Sequence, residues 1–242
     1  KYFENKRAVI FDLDGTVFKE AEELRKESFE KVIRDEKLDY INPKPYCISG
    51  YSSETIWEAI LDANEVKDKK INDLVNKTAE AYLEIVKNTE IKTAEGFWDF
   101  FYELKQEKNF KIGITSNTPK AIQEVVMKKL EINGIFDAEI FGDAVKKLKP
   151  HPEIYKKILR LLKVSPKETI VFEDSIPGVK SAVEAKIDTF VIWDGVTRKS
   201  LFEDKVFDFS RDFIPYPGTL DETHEEYIMK SYTQALENKE RQ

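Results

Sequence analysis

Four short stretches of this chain place charged or hydroxyl side chains where apolar runs stop. In the first, Ala8-Val9-Ile10-Phe11 leads into Asp12-Leu13-Asp14-Gly15, so two carboxylates fall where a buried strand would end. With a period of two, Asp12 and Asp14 point to one side if the strand stays straight. Two like charges that close require a cation between them or a proton on one of them. Read alone, Asp-x-Asp-Gly suits a surface turn equally well. In the second stretch, Ile112-Gly113-Ile114 runs into Thr115-Ser116-Asn117-Thr118-Pro119. Hydroxyls and free N–H groups at a helix start suit a phosphate, and they also suit a plain helix cap. The third stretch, Lys149-Pro150-His151-Pro152, sets a lysine immediately before a stiffened helix start, beside Lys146 and Lys147. His151 reads as a cap or surface residue. In the fourth, Val171-Phe172 ends in Glu173-Asp174, followed by Ser175-Ile176-Pro177-Gly178. An acid pair on a strand end suits Mg²⁺, a hard cation that takes few carboxylates plus water and phosphate. No Cys/His spacing points to zinc.

The elements that must hold these residues alternate along most of the chain. Strands are expected over 8–11, 110–115, 138–141, 169–172, 189–193 and 206–209. Helices are expected over 96–106, 119–131, 152–162 and 178–185. Strands alternating with helices, and no close-spaced hairpins, indicate an α/β fold with a doubly wound parallel sheet. One segment breaks the pattern. From Lys19 to Ile91 the apolar residues recur at helical spacing with no strand signal, and Asn42-Pro43-Lys44-Pro45 interrupts them. Ser52 and Ser53 are candidate N-caps for the helix carrying Ile56, Trp57, Ile60 and Leu61, and a third helix follows from about Asp68. This predicts a core from 1–18 and 92–214, an inserted helical bundle over 19–91, and a C-terminal helical extension over 215–242. Trp57 and Tyr82 are assigned to the bundle's core rather than to substrate. The extension begins with Pro215-Tyr216-Pro217-Gly218 and carries a polar helix, Glu222 to Asn238, that could dock, dimerise or stay loose.

Composition narrows the function. The chain has 242 residues, 41% hydrophobic residues and 16 Phe, enough for a sizeable core. A net charge of -7 gives no electrostatic footprint for nucleic acid or an anionic membrane. An acidic enzyme for anionic phosphates must therefore make its site locally positive with a metal or a few lysines. Cys47 is the only cysteine, which rules out an internal disulfide and fits a reducing, cytoplasmic setting. No apolar run reaches membrane-spanning length. The chain starts at Lys1 rather than Met, so a targeting segment can have been removed.

Phe11-Asp12-Leu13-Asp14-Gly15-Thr16, together with the other three stretches, resembles the four motifs of the haloacid dehalogenase superfamily, over roughly residues 7 to 210. The resemblance implies a Rossmann-like core with a helical cap, of the phosphatase and β-phosphoglucomutase-like kind. It makes Asp12 the nucleophile and Lys149 the residue bridging nucleophile and phosphoryl group. Pro152 resembles the turn proline of Lys-Pro-x-Pro relatives. Asp174 becomes a direct Mg²⁺ ligand, with Glu173 orienting a bound water. On that basis Mg²⁺ is held by Asp12, Asp174 and the Asp14 carbonyl. Thr115 or Ser116, with Asn117 and Lys149, grips the phosphate. Asp14 protonates the leaving alcohol and then activates water. Two positions depart from the pattern: Lys19 stands where many relatives have an acid seven residues after the nucleophile, and Ala185 is followed by Lys186 rather than glycine.

The resulting expectation is a Mg²⁺-dependent phosphatase acting on a small phosphorylated metabolite, as a monomer or homodimer. The alternative is a hexose-phosphate mutase resembling β-phosphoglucomutase, and a third reading is a silent binding protein on the same fold. Against the mutase, the arginine expected three residues after the cap-loop glycine, which resembles Gly50, is Ser53 here.

Overall fold

The computed structural model describes residues 2–38, 50–107, 109–195, 197–202 and 206–213. Ala8–Asp12 forms β1 and is buried at every position, as an apolar run without alternation requires when both faces of a sheet are covered. It lies inside a six-stranded sheet of order β3-β2-β1-β4-β5-β6. The other strands are β2 (Lys111–Thr115), β3 (Ala138–Ile140), β4 (Thr169–Glu173), β5 (Asp188–Ile192) and β6 (Val206–Ser210). All pairings are parallel. The chain moves outward from β1 through β2 to β3, then restarts on the other side of β1 with β4. That reversal opens a crevice at the carboxyl ends of β1 and β4. Asp12 is in register with Thr115, and Phe11 with Phe172, so Asp12, Thr115 and Glu173 end three adjacent strands on one edge.

Alternate residues of β1 feed two cores. Val9 and Phe11 join Phe97 and Phe100 of α4 (Phe97–Tyr102) and Val126 of α5 (Lys120–Lys129). Ala8 and Ile10 join Ile154 and Ile158 of α6 (Glu153–Leu162) and Ala182 of α7 (Ile176–Glu184). A Cβ on Gly113 would lie 2.6 Å from Ile158 Cδ1, so the missing side chain lets α6 settle closely on β2. Helix α7 starts two residues before the expected position. Ser175 caps it by accepting from the Gly178 N–H at 3.1 Å, and Pro177 occupies the first turn, where it disturbs no hydrogen bond.

Between β1 and α4 lie α1 (Ala21–Asp35), α2 (Ser53–Ala63) and α3 (Ile71–Asn88). They pack around their own cluster of Phe29, Ile33, Ile56, Trp57, Leu61 and Leu74. Ser52 caps α2 by accepting from the Thr55 N–H at 3.3 Å. Trp57 is fully buried and donates from Nε1 to Thr78 Oγ1 at 2.9 Å. Tyr82, Val86 and Leu24 belong instead to the main cluster with Phe97 and Val17, which seats these helices on the sheet. The break at 42–45, Cys47 and the extension from Pro215, with its helix over 222–238, lie outside the described residues. No helix among the described residues is long and apolar enough to cross a membrane.

Candidate active site

Asp12 ends β1 at the switch point, and Lys149 Nζ reaches it from the loop before α6, donating to Asp12 Oδ1. The same ammonium donates to Glu173 Oε1 at 2.6 Å, and the Tyr155 hydroxyl donates to that oxygen at 2.8 Å. Glu173 Oε2 accepts from Asp174 N at 3.2 Å, Ser175 N at 3.3 Å and Ser175 Oγ at 3.2 Å. Five donors thus hold one fully buried carboxylate, which is what a charge in this position needs. A Cβ on Gly178 would lie 2.0 Å from this carboxylate, so the glycine makes the room it occupies.

Asp174 closes the group. Thr16 Oγ1 donates to Asp174 Oδ1 at 3.2 Å, and Gly15, at φ 89°, packs so closely that a Cβ would stand 2.1 Å from Oδ2. Asp12, Glu173 and Asp174 each offer an oxygen, all within 4.8 Å of one another. Burial holds the Asp12 carboxyl well above the ordinary carboxylate range; Glu173 and Asp14 add to this and Lys149 opposes it. Burial likewise raises Asp174, with repulsion from Asp12, Glu173 and Glu22 behind it. Burial pulls Lys149 down, but the attraction of Asp12 and Glu173 prevails and holds it well above its usual value. Lys149 pairs with Asp12 and Glu173 while Asp174 is held by Thr16, and the oxygen-only donor set of the three acids fits a hard divalent cation.

Asp14 has a set of partners different from that of Asp12, although its charge still acts on the Asp12 carboxyl. The strand stops at Asp12, and the chain turns where Leu13 N donates to Thr115 O at 3.0 Å and Leu13 O accepts from Val17 and Phe18. Asp14 Oδ2 then accepts from Gln123 Nε2 at 2.5 Å, Ser116 Oγ at 2.6 Å and Thr118 Oγ1 at 3.2 Å. The Thr115 hydroxyl, one strand from Asp12, is buried without a hydrogen-bond partner. Asn117 is engaged with backbone. Its Oδ1 accepts from Lys149 N at 2.9 Å, and its Nδ2 donates to Lys149 O at 3.2 Å and to Gly50 O at 3.1 Å. Its side chain ties the lysine loop to the helical segment. Lys19 donates to the Arg211 carbonyl, and burial lowers its pKa. His151 Nδ1 accepts from Glu153 N at 3.3 Å, in keeping with a cap residue.

The helical segment contributes groups that sequence reasoning did not single out. Glu22, in the first turn of α1, lies 3.6 Å from Arg25 Nη1. Burial raises its pKa, Arg25 opposes this, and the charge of Asp14 adds to it. Arg25 Nη2 donates to Tyr51 O. Tyr82 of α3, assigned to the bundle's core, is buried, but its phenol feels the charges of Asp14, Glu22 and Arg25, and burial above all holds it well up. Gly50, at φ 77°, presses on Ser175, whose Oγ would lie 2.5 Å from an added Cβ. Gln123 and Tyr155 were also missed. Both sit on helices whose neighbours are apolar, and a polar residue on a buried face was the signal available.

The family model for haloacid dehalogenase-like hydrolases matches residues 9–192. Over 185 residues the chain is 31% identical to the "phosphorylated carbohydrates phosphatase" of Thermotoga maritima, covering 75% of this chain and 82% of that protein. A solved structure of a HAD hydrolase, family IA, variant 3, from Entamoeba histolytica superposes with TM-score 0.75 at 26% identity, covering 86% of this chain and 94% of that one. The β-phosphoglucomutase of Clostridium difficile superposes with TM-score 0.74 at 21% identity, covering 96% and 99%, a likeness of fold.

Proposed function

Because the chain belongs to the haloacid dehalogenase-like hydrolase family, we propose that it is a Mg²⁺-dependent phosphatase. Its substrate is a small phosphate monoester, a sugar phosphate or similar metabolite, hydrolysed through an aspartyl phosphate on Asp12. The observation that carries this reading is Asp12 at the strand end, paired with Lys149, while Asp14 is held separately by Ser116, Thr118 and Gln123. A nucleophile and an acid–base residue need two such different settings.

Asp12 attacks phosphorus, and the bond to the leaving oxygen breaks. Asp14, whose Oδ2 is pinned by three donors, presents its other oxygen to protonate the departing alkoxide. It then takes a proton from the water that cleaves the aspartyl phosphate, freeing inorganic phosphate and restoring Asp12. Lys149 holds the phosphoryl oxygens with Thr115, whose unpartnered hydroxyl supports the assignment, while Ser116 gives its one hydroxyl proton to Asp14 and so holds the acid–base residue instead. Asp12, Asp174 and the Asp14 carbonyl would hold Mg²⁺, which would supply positive charge to offset the repulsion between nucleophile and phosphate. Glu173, its oxygens already engaged by five donors, positions Lys149 and would orient a water on the ion rather than ligate it directly. Residues 19–91 act as the cap that shields the aspartyl phosphate, and Asn117 is a positioning residue for Lys149. The reading includes a cytoplasmic monomer or homodimer whose only partner is the phosphorylated metabolite.

The test is phosphate release from sugar phosphates, phosphoglycolate and nucleotides, with Mg²⁺ and with EDTA. Turnover is expected with Mg²⁺ alone. Supplying β-glucose 1-phosphate with catalytic glucose 1,6-bisphosphate separates the mutase. Glucose 6-phosphate forming much faster than free phosphate would overturn the phosphatase reading.

A further inference from the structure

Helix α5 buries Val126 and Met127 in the main core, and Gln123 interrupts the same face one turn earlier. The glutamine is fully buried. Its Nε2 donates one proton to Asp14 Oδ2 at 2.5 Å and the other to Ser116 Oγ at 2.8 Å. Turned round, the amide would set Oε1 against the Asp14 carboxylate. In the orientation that serves Asp14, Oε1 is buried without a hydrogen-bond partner. An unpaired buried carbonyl lowers stability, and an apolar side chain of the same shape would not. Packing alone therefore does not account for a glutamine here. The amide acts on Asp14 along two routes, of which the direct bond is the first. The second runs through Ser116, whose hydroxyl has two lone pairs and one proton. Thr118 N donates to Ser116 Oγ at 2.9 Å and Gln123 fills the other lone pair, so the hydroxyl proton goes to Asp14 Oδ2, at 2.6 Å. Thr118 Oγ1 adds a third donor to Oδ2 at 3.2 Å. With Oδ2 engaged as an acceptor, a proton on Asp14 is carried by Oδ1, to which none of the described residues donates.

We infer that Gln123 is a positioning residue for proton transfer, which keeps the Asp14 proton on Oδ1, the oxygen that passes it to the leaving alkoxide. This rests on the phosphatase reading above. As the bond from Asp12 to phosphorus forms and the bond to the leaving oxygen breaks, the Oδ1 proton moves to that oxygen. Asp14, now a carboxylate, later takes a proton from the water that attacks the aspartyl phosphate. Substrates differ in how far they need the first transfer. A sugar alkoxide is a poor leaving group and departs with a proton, whereas 4-nitrophenolate is stable as an anion and departs without one. Gln123 therefore matters for leaving-group departure from the first kind of ester and not from the second. A residue that served only phosphate binding or folding would affect both alike.

The experiment compares the parent with Gln123→Met, which keeps the length of the side chain and loses its amide, and with Gln123→Leu as a second variant. With Mg²⁺ present, kcat and KM are measured on fructose 1-phosphate, glucose 6-phosphate and 4-nitrophenyl phosphate, and thermal unfolding is followed in EDTA. The ratio kcat/KM covers the steps up to departure of the leaving group. On the sugar phosphates that the parent hydrolyses, it should fall about 10- to 100-fold in Gln123→Met. On 4-nitrophenyl phosphate it should stay within about threefold, while kcat and KM fall together because water attack still needs Asp14. The Tm should equal or exceed that of the parent, since an unpaired buried carbonyl has been removed. Equal losses of kcat/KM on both kinds of ester, or no loss on either, overturn the assignment while the phosphatase activity stands. A Tm more than about 5 °C below the parent, or failure of both variants to fold, makes the amide a structural group and overturns it as well. Phosphate from 4-nitrophenyl phosphate alone in the parent also removes the assignment, because no alkoxide then receives a proton. No phosphate from any of the three esters overturns the phosphatase reading and the assignment with it.

Discussion

Gly178→Ala is a one-carbon change in a helix, where alanine is ordinarily favoured over glycine by about 1 kcal/mol. Here it should be strongly destabilising. The added Cβ would sit 2.0 Å from the Glu173 carboxylate, and an ordinary contact needs about 3.5 Å, so the carboxylate must retreat by roughly 1.5 Å. Such a shift stretches the bonds from Lys149 at 2.6 Å and Tyr155 at 2.8 Å beyond useful range. Glu173 is fully buried and has no solvent to turn to. Breaking a buried charge pair costs about 3–5 kcal/mol, several times the helix gain, and for a protein of this size that lowers Tm by roughly 6–20 °C. The assay is thermal unfolding by circular dichroism in EDTA, with the double variant Gly178→Ala/Glu173→Asp alongside. Shortening the acid by one methylene makes room for the new methyl group, so the double variant should unfold above Gly178→Ala alone. A Tm for Gly178→Ala within 2 °C of the parent, or purely additive effects in the double variant, would refute this account.

Asp12→Asn should cut kcat by about 10³-fold or more, since one member of a coupled catalytic unit is lost. The metal-free variant should be at least as stable as the parent at neutral pH by the same unfolding assay. An acid whose folded pKa is raised loses stability as pH rises through the carboxylate range and on to the folded value, and the amide removes that loss. Asp174→Ala should raise the Mg²⁺ concentration needed for half-maximal turnover in a metal titration, and Ca²⁺ should bind with poor turnover, its larger and looser shell holding Asp12 less well in line. Asn117→Ala removes three hydrogen bonds that hold Lys149 and Gly50, and should lower kcat about 10- to 100-fold with a smaller effect on KM in steady-state kinetics. Hydrogen bonds from Ser165, with help from Arg7, hold Glu168 down to about 2. Its contribution to stability is therefore present above the ordinary glutamate value and is lost as pH falls toward about 2. Glu168→Gln should unfold below the parent at pH 6 and converge with it near pH 2.

The strand that ends in Asp12 was legible because an apolar run, a carboxylate and a glycine occur within a few residues of one another. Lys149 and the acids of β4 were legible for the same local reason. The bonds that finish the site are not local. Gln123 reaches Asp14 across 109 residues, and Lys149 reaches Asp12 across 137. Tyr155 lies in the stripe Ile154, Ile158, Leu159 and Leu162, so its ring reads as core and its hydroxyl goes unnoticed. The different partners of Asp12 and Asp14 follow from where the strand ends, and a period-two argument cannot locate that point. Asn117 beside two hydroxyls at a helix start looks the same in sequence whether it faces substrate or backbone, and its bonds to Lys149 and Gly50 come from residues far along the chain.

Gly50 has two roles. Its carbonyl accepts from Asn117 Nδ2, and its bare α-carbon rests on Ser175, in a backbone conformation that other residues enter at a cost. For anyone wishing to recombine this enzyme with a relative, that residue defines the unit of exchange. A graft between positions 19 and 91 that replaces Gly50 would part the helical segment from the Lys149 loop, which is joined to it through Asn117. Modularity here is limited by one glycine rather than by the helices.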